Sequence, residues 1–121
     1  RWMAIAHRLC ETHAVLWLLN CSMKTDINPL LKKIESVVGK VGVLSGKQLA
    51  GRSAGIWSGT ELEALALVRP GSTTEVAEVM KLCHAAGQVV VPAGGMTGLA
   101  GGHESTHSDI VLSTERMNRI E

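Results

Sequence analysis

Three short apolar runs constrain the fold of this chain more than any other feature. They lie near residues 65–68, 88–91 and 109–113. Each run is too short for an ordinary helix, and none alternates regularly between polar and apolar residues. Such runs are typical of strands buried on both faces, as the strands of parallel sheets are. The sequence therefore predicts three buried strands in this part of the chain.

The segment between the first two strands has the signature of an amphipathic helix near residues 73–86. Ser72, followed by Glu75 three residues later, matches a capping box, and Gly87 follows the last turn. The predicted apolar face consists of Val76, Val79, Met80, Leu82 and Cys83. Because parallel strands need a connection of this length, strand, helix and strand together predict a parallel βαβ core within an α+β fold.

A second amphipathic helix is predicted near residues 29–38, ahead of the strands. Asp26 or Asn28 can cap it, Pro29 suits its first turn, and Gly39 follows its end. Its apolar positions are Leu30, Leu31, Ile34, Val37 and Val38. The glycine-rich stretch that follows, to about residue 60, is expected to be mostly turns and loop.

Composition excludes some classes of function. The 121 residues carry a formal net charge of +1 and include three Trp but no Phe or Tyr. A chain with no basic face and no aromatic platform is poorly suited to bind nucleic acid, so no such partner is expected. Apolar residues make up 45% of the chain and charged residues 19%, as in ordinary globular proteins.

The cysteines and the N-terminal segment bear on location. Cys10, Cys21 and Cys83 form no C-x-x-C pair and are odd in number. This pattern favours free thiols in a reducing compartment, and hence a cytoplasmic protein. The apolar run at residues 14–19 is far shorter than the roughly 20 residues that span a bilayer, so no transmembrane segment is expected.

Three regions are expected along the chain. Residues 1–22 form an N-terminal extension to which no role is assigned. Residues 23–60 contain the first helix and the glycine-rich stretch, and residues 61–121 contain the predicted strands. The sequence starts with Arg and stops at Glu121 without a closing turn, which suggests a fragment of a longer protein.

The stretch PAGGMTGLAGG, residues 92–102, has five glycines among its eleven residues and directly follows a predicted strand. Glycine lets ligand atoms approach the main chain, and successive N–H groups can converge into an anion-binding concavity. Thr97 adds a hydroxyl donor. The spacing differs from G-x-G-x-x-G opening into a helix, so a nicotinamide site is disfavoured. The pattern predicts a loop that binds the phosphates of a nucleotide.

A competing motif follows at once, because His103, Glu104 and His107 match the H-E-x-x-H signature of zinc proteases. That chemistry needs both imidazoles on one face of a helix. Here the motif follows two glycines and contains Ser105 and Thr106, which favour turns over helix interiors. A zinc hydrolase is therefore the least favoured alternative, and no metal ligands are assigned.

Taken together, VRPGSTTEVAEVMKLCHAAGQVVVPAGGMTGLAGG and DIVLSTERMNRI resemble the FAD-linked oxidase family, whose flavin domain is of the p-cresol methylhydroxylase type. This family includes D-lactate, glycolate and D-2-hydroxyglutarate dehydrogenases. The resemblance runs from about Leu65 to Ile120, and less clearly back to Asn28. It implies that the chain is the N-terminal part of an FAD-binding domain.

The resemblance also implies a function. The complete protein would be a flavin-dependent dehydrogenase that oxidises a small 2-hydroxy acid to a 2-oxo acid. The glycine loop would bind the FAD pyrophosphate through Pro92, Ala93, Gly94, Gly95, Met96, Thr97, Gly98, Leu99, Gly101 and Gly102. Because Met96 stands where covalently flavinylated relatives have His, FAD is predicted to bind non-covalently.

No catalytic residue is assigned within the chain, and the fragment alone is expected to be inactive. The stretch HESTHSD departs from the small apolar residues usual in this family, so His103 is given no role. A non-catalytic α/β remnant or interaction module is the main alternative to a flavoenzyme.

Overall fold

The computed structural model describes residues 27–57 and 59–119. The predicted extension at 1–22, the proposed cap Asp26, and Cys10 and Cys21 lie outside the described residues. The elements are helix α1 (Ile27–Val38), strand β1 (Val43–Ser45), strand β2 (Ala66–Val68), helix α2 (Thr73–Ala85), strand β3 (Val90–Ala93) and strand β4 (Ile110–Ser113). Two short 3₁₀ turns, Lys40–Gly42 and Gly46–Gln48, flank β1.

The four strands form one sheet in the order β1-β2-β4-β3. Strand β4 pairs in parallel with β2 on one side and with β3 on the other, so the three predicted strands are mutually parallel. Helix α2 connects β2 to β3 and crosses over the position that β4 occupies. The predicted α+β fold with a parallel βαβ core is confirmed.

Strand β1 was not predicted. It pairs antiparallel with β2 and lies in the stretch expected to be only turns and loop. Its three residues are flanked by glycines and carry no periodic pattern, so pairing with β2 rather than local sequence makes it a strand.

Strand β3 continues through Pro92 to Ala93, although the sequence predicts a strand only near residues 88–91. Proline has no N–H to donate, but β3 is an edge strand and needs hydrogen bonds on one side only. Pro92 is therefore accommodated opposite Leu112 of β4.

Both helices end as glycine signals predict. Gly39 and Gly87 have positive φ angles of 78° and 64°, and their N–H groups bond to carbonyls of the preceding turn. At the start of α2, the Ser72 hydroxyl accepts the Glu75 N–H at 3.3 Å. The Glu75 carboxylate, however, accepts the N–H of Gly71 at 2.8 Å rather than that of Ser72. The first hydrogen bond of the expected capping box is therefore present, whereas the second is made to the residue before the expected one.

One face of the sheet is covered by α1 and α2, which pack against each other. The buried cluster on this face contains Leu30, Ile34, Val38, Val43, Ala66, Val68, Val79, Cys83, Ile110 and Leu112. Met80 was predicted to belong to it but is 44% exposed. Cys83 is a free cysteine in this cluster, and burial raises the pKa of its thiol.

The opposite face is covered by residues 46–57 and 59–65, which lie between β1 and β2 and which we call the connecting segment. Leu49 and Leu62 from this segment pack on Leu67, Val111 and Ala93 of the sheet. Alternate residues of each strand thus enter two different cores, which explains why the strands are apolar throughout.

Candidate functional site

The parallel strands bring three sequence motifs together at one edge of the sheet. Arg69 directly follows β2, the glycine loop follows β3, and Glu115 comes two residues after β4. Parallel strands share the edge at which their carboxyl ends lie, which is where ligands bind in sheets of this kind. The site is therefore assembled from segments far apart in the sequence.

An ion-pair network borders this edge. The Glu115 carboxylate accepts from Arg52 of the connecting segment at 3.0 Å and from Arg69 at 2.9 Å. Hydrogen bonds from Arg52, more than those from Arg69, lower the pKa of the Glu115 carboxyl, although its partial burial opposes them. Arg116 donates to the Arg69 carbonyl at 3.0 Å. These contacts fix the connecting segment against the ends of β2 and β4.

The predicted site residues occupy two kinds of position. Pro92 and Ala93 lie within β3, and Ala93 is buried against the second core. The rest form the loop that follows, and most of them are exposed; these are Gly94, Gly95, Met96, Thr97, Gly98, Leu99, Gly101 and Gly102. Leu99 is 85% exposed, so its side chain contributes little to the core of this chain.

Four loop glycines have no structural reason to be glycine. A Cβ built on Gly94, Gly98 or Gly102 meets nothing within 4 Å, and one on Gly95 meets only the Thr97 methyl group at 3.8 Å. None of the four has φ in the left-handed range. Because neither packing nor backbone geometry requires glycine at these positions, the open space beside them is available for close approach of a ligand.

The main chain of the loop offers unused donors. Among the described residues, no N–H group from Gly95 to His103 donates a hydrogen bond to the rest of the protein. Exposed N–H groups on consecutive residues are the donors from which anion-binding concavities are built. The residues present therefore fit the phosphate groups of a nucleotide.

Met96 and Gly101 are constrained by the fold itself. Met96 has a φ of 50°, which is unusual for a residue with a side chain, and its half-buried side chain packs on the second core. Gly101 has a φ of 71°, and a Cβ there would lie 2.9 Å from a carboxylate oxygen of Glu104. These two positions set the bend of the loop.

Two concavities adjoin the loop. A cavity of about 210 Å³ lies on the second face of the sheet, beside Gly94 and Met96, and is bordered by Arg52 and Glu115. A shallower groove of about 170 Å³ runs between Trp57 of the connecting segment and Leu99 of the loop. The loop therefore lines a groove as well as an open surface.

The H-E-x-x-H stretch is not helical. His103 lies in one turn and His107 in the next, so the two imidazoles do not share the face of a helix. His107 contacts the Glu63 carboxylate at 3.4 Å, whereas His103 lies against Gly55. Within residues 27–57 and 59–119, no three His, Cys, Asp or Glu side chains are grouped to hold a metal ion. The helical geometry that this zinc motif requires is not present.

Comparison with known proteins finds a family whose profile matches this part of the chain. A family profile described as "FAD binding domain" matches residues 64–121. This match supports the resemblance of residues 64–121 to the FAD-linked oxidase family.

Two curated relatives illustrate the similarity of the sequence. A D-2-hydroxyglutarate dehydrogenase from Xanthomonas citri pv. viticola is 46% identical over 55 residues, which are 46% of this chain and 12% of that protein. A D-lactate dehydrogenase from Archaeoglobus fulgidus is 39% identical over 59 residues, 49% of this chain and 13% of the relative. The chain thus spans only about an eighth of the length of these relatives.

The fold agrees with the family. The structure of p-cresol methylhydroxylase with substrate bound matches with a TM-score of 0.59 and 16% identity, over 81% of this chain and 20% of that one. The structural match is longer than the stretch matched by the family profile, so the shared fold extends into the residues ahead of Ala64. The resemblance to a flavin domain of the p-cresol methylhydroxylase type is confirmed at the level of fold.

Sequence reasoning missed the residues of the connecting segment that border the site. Arg52, Gly55 and Ile56 lie in a stretch without periodicity or a recognisable motif, so nothing in the sequence pointed to them. Arg69 and Glu115 were within the quoted family motifs, and their opposite charges were a usable signal. Among the described residues, no helix is long and apolar enough to cross a membrane.

Proposed function

We propose that this chain supplies the pyrophosphate-binding loop of an FAD-dependent dehydrogenase that oxidises a small 2-hydroxy acid to a 2-oxo acid. The observation that carries the proposal is the set of four glycines whose Cα atoms face open space without a conformational need for glycine. The match of residues 64–121 to a family profile described as "FAD binding domain" supports FAD as the nucleotide. The two relatives are named for D-2-hydroxyglutarate and D-lactate, which are both 2-hydroxy acids.

The residues of the loop act by holding the cofactor. Main-chain N–H groups between Gly94 and Gly102 donate to the pyrophosphate oxygens, with the Thr97 hydroxyl as an additional donor. Leu99 and Met96 border the bound cofactor, and Pro92 and Ala93 fix the start of the loop in the sheet. When bound, FAD would supply the redox chemistry for a two-electron oxidation of the hydroxyl-bearing carbon of the substrate. The loop anchors the cofactor and contributes no reacting group.

We propose further that FAD is held without a covalent bond. The Met96 side chain packs against the second core rather than extending freely from the loop. Flavins are usually attached through a nitrogen, oxygen or thiol group that carries a proton. The thioether of Met96 has no such group. A cytoplasmic location remains a prediction from cysteine usage, and no nucleic-acid or metal partner is proposed.

The decisive experiment compares Gly95→Val with Gly59→Val in the complete gene product that contains residues 1–121. A Cβ on Gly59 also meets nothing within 4 Å, so Gly59 is a matched open glycine outside the loop. We expect Gly95→Val to weaken FAD binding on the order of a hundredfold, or about 2.7 kcal/mol, because its side chain occupies the approach to the loop. Flavin fluorescence titration of the apo protein measures the dissociation constants.

The controls separate the alternatives. Acid denaturation of the wild-type holoprotein should release all flavin into the supernatant, and flavin that stays with the protein would refute non-covalent binding. Equal FAD affinity in Gly95→Val and wild type would refute the assignment of the loop. A wild-type protein that binds no FAD would instead favour the non-catalytic α/β remnant.

A further inference from the structure

The stretch from His103 to His107 has no part in the proposed function, yet it is attached to the connecting segment at several points. We propose that residues 103–107 are a strap that holds the glycine loop in the shape that receives FAD, with His103 as its positioning residue. This inference rests on the proposed function of the loop. It concerns the shape of the loop rather than direct contact with the cofactor.

The first observation is the close contact between His103 and Gly55. Gly55 is buried, and a Cβ built on it would lie 2.8 Å from Nε2 of the His103 ring and 3.4 Å from the Met96 carbonyl oxygen. A Cβ at this position therefore requires the His103 imidazole to move. The φ of Gly55 is not in the left-handed range, so the nearby His103 ring, rather than backbone geometry, favours glycine here.

The second observation is that the connecting segment also holds the other end of the loop, through the residue next to Gly55. The Ile56 N–H donates to the Met96 carbonyl at 3.3 Å. The connecting segment therefore contacts the loop near its start, at Met96, and just beyond its end, at His103. The span between these two contacts contains Thr97, Gly98, Leu99, Gly101 and Gly102, whose N–H groups are the proposed phosphate donors.

The rest of the strap adds further attachments. The Ser105 hydroxyl donates to the Glu63 carbonyl at 2.6 Å, and the His107 imidazole contacts the Glu63 carboxylate at 3.4 Å. The Glu104 N–H donates to the Gly101 carbonyl at 3.0 Å. The pair between His107 and Glu63 is largely exposed and stabilises little on its own. The packed contact of His103 is the attachment that fixes the end of the loop.

Fixing both ends of a short glycine-rich span lowers the conformational entropy that the span loses when it binds a ligand. The strap thus preorganises the span from Met96 to His103, whose open glycines Gly98 and Gly102 would otherwise sample many shapes.

The test is a double-mutant cycle on Gly55 and His103 in the complete gene product. His103→Ala removes the contact, and Gly55→Ala forces the imidazole away. We expect each to raise the dissociation constant for FAD on the order of tenfold, with little change in the melting temperature of the apo protein. In the double variant, the methyl group added by Gly55→Ala fits the space that the imidazole leaves. The double variant should therefore bind FAD more tightly than the two separate losses together predict.

His84→Ala is the matched control, since His84 is an exposed histidine on α2, away from the loop. Wild-type FAD affinity in His103→Ala, or simple additivity in the double variant, would overturn the strap. Hydrogen exchange of the apo protein gives a readout independent of FAD. The Ile56 amide, protected by the Met96 carbonyl, should exchange faster in His103→Ala, and unchanged exchange there would also overturn the proposal. If the wild type binds no FAD, the proposed function fails, while the exchange result still decides the role of His103.

Discussion

The two halves of the glycine loop are rich in the same residue for different reasons. In the first half, residues 94–98, the glycines meet no packing constraint, and their backbone angles suit any residue. In the second half, residues 99–102, Gly101 has a left-handed backbone and lies beside the Glu104 carboxylate, whereas Gly102 is open. Glycine therefore leaves room for a ligand at the open positions and shapes the protein at Gly101. A count of glycines in the sequence does not distinguish these two uses.

The largest effect should come from breaking the second half. Gly101→Val places a β-branched residue at a φ of 71°. We expect a loss of about 2 kcal/mol in the free energy of unfolding, mostly from the strained backbone, since the Glu104 side chain can move aside. Chemical denaturation of the apo protein measures it. The neighbouring Gly102→Val is the matched control and should stay within about 0.5 kcal/mol of wild type; equal losses in the two variants would remove the distinction.

A smaller effect is expected at the ion pair that holds the connecting segment beside the loop. Glu115→Gln removes the charge shared by Arg52 and Arg69, and should cost roughly 0.5–1 kcal/mol at neutral pH, since the carboxylate is partly exposed. The pKa of Glu115 is lowered in the folded protein, so its contribution is complete above its ordinary value of 4.5 and is lost as the pH falls through the lowered pKa. The difference in the free energy of unfolding between wild type and Glu115→Gln should therefore become smaller as the pH falls.

Denaturation curves recorded across that pH range check this prediction. Glu78→Gln removes the exposed Lys81–Glu78 pair on α2 and serves as the comparison, with a smaller loss expected. If the difference in the free energy of unfolding between wild type and Glu115→Gln grows as the pH falls, the predicted sign of the effect is wrong.

The smallest effect on stability should come from filling the first half. Gly98→Ala restricts the unfolded chain and meets nothing in the folded one, so the apo protein should be unchanged or more stable by about 0.5 kcal/mol. The same variant should bind FAD more weakly. Gly59→Ala, the control, should give the same gain in stability without weaker FAD binding. If Gly98→Ala destabilises the apo protein, the first half of the loop does require glycine for structural reasons.

The sequence predicted one face of the sheet better than the other. The helices on the first face have caps, glycine ends and periodic apolar residues, which are local signals, and their buried positions such as Ile34 and Val79 were predicted correctly. The second face is covered by the connecting segment, whose Leu49 and Leu62 stand isolated among glycines and polar residues. Burial of such residues is decided by tertiary packing, which no local pattern reveals.

The site divides in the same way. The glycine loop and its place after β3 were predictable, because a strand signal and a run of glycines are both local. The contacts of Gly55 with His103 and of Arg52 with Glu115 join residues far apart in the sequence, and they depend on the path of the connecting segment. The role proposed for His103 was for this reason invisible from its own surroundings.

The strand order has a consequence for how the protein forms during translation. Strand β3, which carries the glycine loop, has β4 as its neighbour in the described sheet, although β4 is made last of the four. The sheet that joins β2 to β3 can therefore form only after β4 has been synthesised and has paired between them. A nascent chain that ends before β4 leaves β3 without its partner and β2 paired only with β1, so each presents an edge that is open to pairing.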